Sequence, residues 1–149
     1  MVDQLRVFFE PDSNGTGELF VEVRCGYFSG VSSAWFGEAE LLEFGQRLQS
    51  TVPLPTGERI ELQGGYWDQS GSIEGLHVGL SFYPVGSLGV VGCQVHVATR
   101  LSQSERAEQQ SRLVTAVLTS YECLREFGCA FVALVRGHAN EAVLQARGS

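Results

Sequence analysis

The stretch EQQSRLVTAVLTSYECLREFG, residues 108–128, can be divided in two ways, and the division decides the fold. Taken whole, it is one long helix that begins near Glu105. Taken with a break, it is a strand, RLVTAVLTS, that hands over to a helix at YECLREFG. Its last five letters resolve the choice, because LREFG at 124–128 repeats LLEFG at 41–45 in four of five positions, 83 residues further on. At the same offset Trp35 corresponds to Leu118, Gly37 to Ser120, Glu43 to Glu126, Glu58 to Glu141 and Ile60 to Val143. The first copy enters its helix from an extended SSAWF, so the second enters from a strand, with Thr119 or Ser120 as N-cap. The β-branched Val114, Thr115 and Val117 suit a pleated strand.

Helical spacing is confined to these two places. Leu41, Phe44, Gly45 and Leu48 fall at i, i+3, i+4 and i+7, as do Leu124, Phe127, Gly128 and Phe131, so each helix has one apolar stripe. A glycine inside a helix costs about 1 kcal/mol relative to alanine. Its presence in both stripes predicts a close approach, of helix to sheet or of helix to helix.

Elsewhere the period is two. Leu5, Val7 and Phe9 alternate with Arg6, Phe8 and Glu10; Leu19, Val21, Val23, Cys25 and Tyr27 alternate with Glu18, Phe20, Glu22, Arg24 and Phe28. Over 75–83, Leu76, Val78, Leu80 and Phe82 form one face and His77, Gly79, Ser81 and Tyr83 the other; 93–99 follow suit. The brief PVGS between these last runs predicts a hairpin. Short strands at ERIEL and EAVLQ follow the two helices. The chain therefore reads as a single α+β domain over 1–149: one antiparallel sheet of seven or eight strands with both helices on one face, and a strand-helix-strand unit repeated at about 17–63 and 75–146.

A chain of 149 residues buries enough surface to hold itself together without staples. Cys25, Cys93, Cys123 and Cys129 are too few for a disulfide scaffold and read as reduced thiols of the cytoplasm. MVDQLRVFFEPDSNGTG lacks the basic and apolar blocks of a secretion leader, no window approaches a membrane span, and Asn14-Gly15-Thr16 reads as a turn. The formal net charge of -7 opposes nucleic acid and anionic membranes and favours a basic partner.

No catalytic pattern emerges. Regular pairing across PVGS would set His77 opposite Gln94 and diagonal to His96, about 7–8 Å apart, the start of a metal site that lacks further ligands. With Trp67 they mark the one place where a small-molecule or metal-dependent site is expected, as an alternative. Cys123 and Cys129, six positions apart on a helix, form no pincer. There is no serine elbow, GGYWDQSGS opens no helix, and Glu38 and Glu40 serve the first helical turn. Neither catalytic residues, a metal nor a cofactor is therefore assigned.

Aromatic side chains are the suggestive feature. Phe8, Phe20, Phe28 and Tyr83 are expected on the sheet face away from the helices, and Tyr66, Trp67 and Asp68 in a loop beside it, as a partner-binding or homodimer surface. The succession AWF, ELLEFGQRL, turn and ERIEL resembles small uncharacterised bacterial proteins and the WapI-type immunity proteins that neutralise toxins. That resemblance implies a non-catalytic cytoplasmic protein whose acidic surface blocks a basic toxin, and it carries over no site residue.

Overall fold

The computed structural model describes residues 3–101 and 105–147; Met1 and Val2, where the stretch read for a leader begins, lie outside the described residues. In chain order the elements are β1 (Gln4–Pro11), β2 (Thr16–Cys25), β3 (Phe28–Gly37), α1 (Glu38–Gln49), β4 (Ile60–Trp67), β5 (Ile73–Val85), β6 (Val90–Ala98), β7 (Arg112–Ser120), α2 (Tyr121–Val135) and β8 (Ala142–Gln145), with a 3-10 turn at Ala107–Gln109. The ambiguous stretch breaks at Ser120. The Ser120 side chain caps α2 by accepting a hydrogen bond from the Cys123 N–H at 3.1 Å, an interaction that contributes about 1 kcal/mol.

The expected single sheet is two. One has the strand order β3-β2-β1-β8, the other β4-β5-β6-β7, and all pairs are antiparallel. The succession β-β-β-α-β runs twice along the chain, and in each run the strand after the helix crosses over. Thus β4 pairs with β5, through Ile60↔Phe82 and Leu62↔Leu80, while β8 returns to β1, through Leu5↔Leu144 and Arg6↔Val143. Hydrophobic alternation fixes which face a residue takes but not which strand lies beside it, and so one sheet and two are indistinguishable to it.

The helices are correspondingly not on one face of one sheet. They pack on each other; α1 touches β3 and β4, and α2 touches β1, β8, β6 and β7. Strand β3 runs against strands of the second sheet, and one continuous core results. Its centre is aromatic: Phe44 meets Phe131 edge-on at 5.3 Å, and Phe127 meets Phe131 at 5.9 Å and Phe82 at 6.3 Å. Such contacts add about 0.5–1.5 kcal/mol per pair beyond burial. Both helical stripes are buried as spaced, and their glycines lie at the helix–helix crossing, Gly45 against Phe131 and Val132 and Gly128 against Leu48 and Gln49.

Two local details depart from simple alternation. The β5–β6 hairpin turns at 86–89, not at PVGS, because Val85 still pairs with Val90. Opposite β4 there is a β-bulge, where Gly64 faces Val78 and Gly65 faces Leu76, so His77 is the extra residue. A bulge reverses the alternation beyond it. Leu76 accordingly leaves the Val78, Leu80 and Phe82 face and lies beside Gly79.

Candidate functional site

The outward face of the first sheet is built by four cross-strand rows. Gln145, Gln4, Arg24 and Ser29 form one, Val143, Arg6, Glu22 and Val31 the next, Phe8, Phe20 and Ser33 the third, and Glu10, Glu18 and Trp35 the fourth. Phe8 and Phe20 therefore stand directly opposite each other at the centre, half-buried, while Val31 and Trp35 on the edge strand β3 are 58% and 51% exposed. Around them the charges are mostly negative. The Arg6 guanidinium lies over the Phe8 ring at 5.2 Å, pairs with Glu141 at 2.7 Å and reaches Glu22 at 3.5 Å. Ser33 Oγ donates to Glu18, and Arg100 touches both. The ion pairs raise the Arg6 pKa further and fix the side chain flat on the sheet.

Only two of the expected surface residues occupy that face. Phe28 pairs with Cys25 at the end of the β2–β3 hairpin, so the strand stops before the alternation reaches it; the ring is exposed at the hairpin tip beside Tyr27. Tyr83 belongs to the second sheet, where its ring covers Gly92 and carries the Arg59 guanidinium at 4.7 Å. Tyr66 and Trp67 are the last residues of β4, not of a loop, and both are about half exposed. Asp68 builds the turn that follows: its Oδ1 accepts from the Ser70 N–H, the Ser70 hydroxyl and the Ser72 N–H. These bonds, the Ser70 side chain first, hold its pKa below the ordinary carboxylate value.

The two histidines do not form a pair. The hairpin register places Gly79, not His77, beside His96, and Ser81 beside Gln94. His77, 3% exposed, packs edge-on against Tyr66 with ring centres 4.7 Å apart. His96 instead lines a groove of about 90 Å³ on the outer face of the second sheet, with Glu61, Gln63, Leu76, Ser81 and Gln94 around it. Its Nε2 is buried without a hydrogen-bond partner. Among the described residues no group of three or more His, Cys, Asp and Glu is placed to hold a metal.

Burial lowers the pKa of both imidazoles, helped by Arg100 at His77 and by Arg112 at His96. Well above the ordinary value of 6.5 they are neutral in folded and unfolded chains alike. As pH falls through that value the unfolded chain takes up protons that the fold resists, so stability declines on acidification. Denaturant titrations at pH 7.5 and 5 should show the loss, and a His77→Gln, His96→Gln double variant should show a smaller one; an equal loss in both would put the acid sensitivity elsewhere.

All four cysteines are free. Cys93 is wholly buried, which pushes its thiol far up, and exposed Cys129 accepts a hydrogen bond from the Gln49 amide at 3.3 Å. The Cys25 thiol donates to an Asp3 carboxylate oxygen and to the Ala116 carbonyl, each at 3.5 Å. Sequence reasoning missed Val31 and Trp35. The signal was there, since the Gly26-Tyr27 turn sets Cys25 opposite Phe28, and counting back from it puts Trp35 on the Phe20 face.

Fold and surfaces together define an α+β protein of two four-stranded antiparallel sheets and a helix pair, with no helix among the described residues long and apolar enough to cross a membrane. Comparison with known proteins found no matching family, no matching curated sequence and no matching solved structure.

Proposed function

We propose that the protein is a non-catalytic protein-binding module, immunity-like in its action, that docks a basic protein partner on the outward face of its first sheet in the cytoplasm. The observation that carries this is the pair Val31 and Trp35, exposed on an edge strand beside Phe8 and Phe20 and set among Glu10, Glu18, Glu22 and Glu141. Exposed aromatics within a polar rim are the usual anchors of protein interfaces, and acidic rims speed encounter with basic partners.

The same reading extends to the architecture. The chain consists of two related units, about 17–63 and 75–146, and the matched positions of Gly45 with Gly128 and Val31 with Val114 support that descent.

Affinity capture from the native cytoplasm tests the docking face. A basic protein should be retained by the parent, released by salt, and lost from Trp35→Glu and Phe20→Glu but not from Val52→Glu, a change at an exposed position in the loop between α1 and β4. Retention that ignores Trp35 and Phe20 would exclude the face, and so would a chain that light scattering shows to be a dimer dissociated by Phe20→Glu.

A further inference from the structure

The two sheets place different residues at equivalent points. In the first, the row Val143, Arg6, Glu22, Val31 holds a guanidinium between Glu141, two residues before Val143, and Glu22. In the second, the row Gln63, Gly79, His96, Val114 has the same strand order, with Glu61 two residues before Gln63; the match is by row and not by the 83-residue offset, which would set core-facing Ile60 against outward Val143. Glycine thus stands where Arg6 would be, and an imidazole where Glu22 would be. The carboxylate is kept, and among the described residues no cation pairs with it.

We propose that the groove over Gly79 is a guanidinium site, filled by an arginine side chain of the basic partner; the protein-binding reading supplies only the identity of the occupant, not the site. Glu61 offers the charge-assisted contact, and a planar guanidinium matches a carboxylate with two parallel hydrogen bonds. Gln63 and Gln94 line the same groove and can turn amide oxygens to it, beside His96 Nε2. That nitrogen is the described side-chain atom left buried without a partner, and a guanidinium N–H satisfies it. Burial and Arg112 keep the imidazole neutral, so that it can accept rather than repel.

Two cations border the groove. Arg112, opposite Ala98 on β7, is one. Arg59 is the other, and it is occupied: its Nη1 donates to Ser81 Oγ at 2.8 Å and its guanidinium stacks on Tyr83. The floor is Gly79, overlain by the Leu76 side chain that the bulge turns to this face, so an entering group displaces a leucine and no backbone.

Nitrogen-15 NMR titration with N-acetyl-arginine methylamide tests the site, with the lysine analogue as control. Saturable shifts at the Gly79, Ser81 and His96 amides are expected with arginine and not with lysine. Glu61→Gln, on an exposed side chain, should weaken binding at least fivefold. Gly79→Arg, which rebuilds the Arg6 arrangement in the second sheet, should abolish it; if that variant does not fold, Glu61→Gln decides. Equal unsaturable drift with both probes, or unchanged affinity in Glu61→Gln, would overturn the site. An extended peptide with one arginine that binds at least tenfold tighter than agmatine assigns the group to a protein, and equal affinity assigns it to a small guanidino compound. The arginine titration involves neither Trp35 nor Phe20, so failure here and failure of the docking face are read separately.

Discussion

Gly128→Ala should lower stability by about 2–3 kcal/mol, in the upper part of the range for overpacking, even though alanine is the better helix former. A Cβ at residue 128 would lie 2.5 Å from the Gln49 backbone nitrogen and 2.9 Å from the Leu48 carbonyl carbon. Neither belongs to a side chain that can turn away, so the two helices must separate, and Phe44, Phe127 and Phe131 at the crossing separate with them. For a chain of this size that loss corresponds to a fall in Tm of roughly 5–10 °C. Gly45→Ala is the control. There the nearest atoms are Val132 Cγ2 at 2.8 Å and Phe131 Cδ1 at 3.0 Å, with the Val132 backbone nitrogen at 3.5 Å, so relief takes a few tenths of an ångström of side-chain movement and not a separation of the helices, and the gain in helix propensity offsets part of the cost. Thermal melts followed by circular dichroism should therefore rank the parent and Gly45→Ala close together and Gly128→Ala well below. A Gly128→Ala protein as stable as the parent would show that the helices are not pressed together at that point.

The glycines show what was legible in the sequence. Their place in the apolar stripe follows from spacing alone, and a helical glycine that faces the core implies a near neighbour. Which neighbour does not follow, because helix-on-sheet and helix-on-helix packing bury the same stripe. The division of 108–128 was legible too, since Ser120 as N-cap and the β-branched residues before it agree with the repeat. Pairing was not. Strands β4 and β8 each follow a helix. Strand β4 pairs with β5, the next strand in the chain, but nothing in its alternation says that it has left the first sheet, and β8 joins β1 at the other end of the chain, where neither proximity nor alternation indicates the partner.

The surfaces divide in the same way. Phe8 and Phe20 came from alternation within uninterrupted strands and share one face, as expected of residues directly opposite in register. Phe28 departs from that alternation because β2 ends at Cys25 and Phe28 opens β3 on the Cys25 side, and Tyr83 because it belongs to the second sheet. The His77–His96 pairing failed because of the bulge: the turn starts and ends two residues later than PVGS implies, which alone would leave His77 diagonal to His96, but the bulge makes His77 the unmatched residue and turns it to the other face. A bulge has little sequence signature beyond glycines, and Gly64-Gly65 is the trace it leaves here.

A chain that ends at Asn140 should lose its cooperative unfolding transition, whereas a circular permutant that keeps every strand should not. Removal of β8 takes away fully buried Leu144 and nearly buried Ala142, the Glu141 partner of Arg6, and the bond from the buried Thr119 hydroxyl to the Gln145 carbonyl. Leucine burial alone contributes about 1.5–3 kcal/mol, and β1 is left as a bare edge above an opened core. Against a total stability of about 5–15 kcal/mol, the combined loss leaves little folded population. The permutant separates the strand from its connection. Gln4 pairs with Gln145, so a short glycine-serine linker can join residue 147 to residue 3, and the chain can be opened between Ser70 and Gly71 in an exposed turn. Its melting temperature should lie within roughly 5 °C of the parent, since joining adjacent ends and cutting a surface turn leave the core intact. Loss of cooperativity in both proteins would mean that the link between β4 and β5, rather than the exchange of β4 and β8 between sheets, holds the fold together; a truncated chain that melts like the parent would mean that β8 adds nothing to the first sheet.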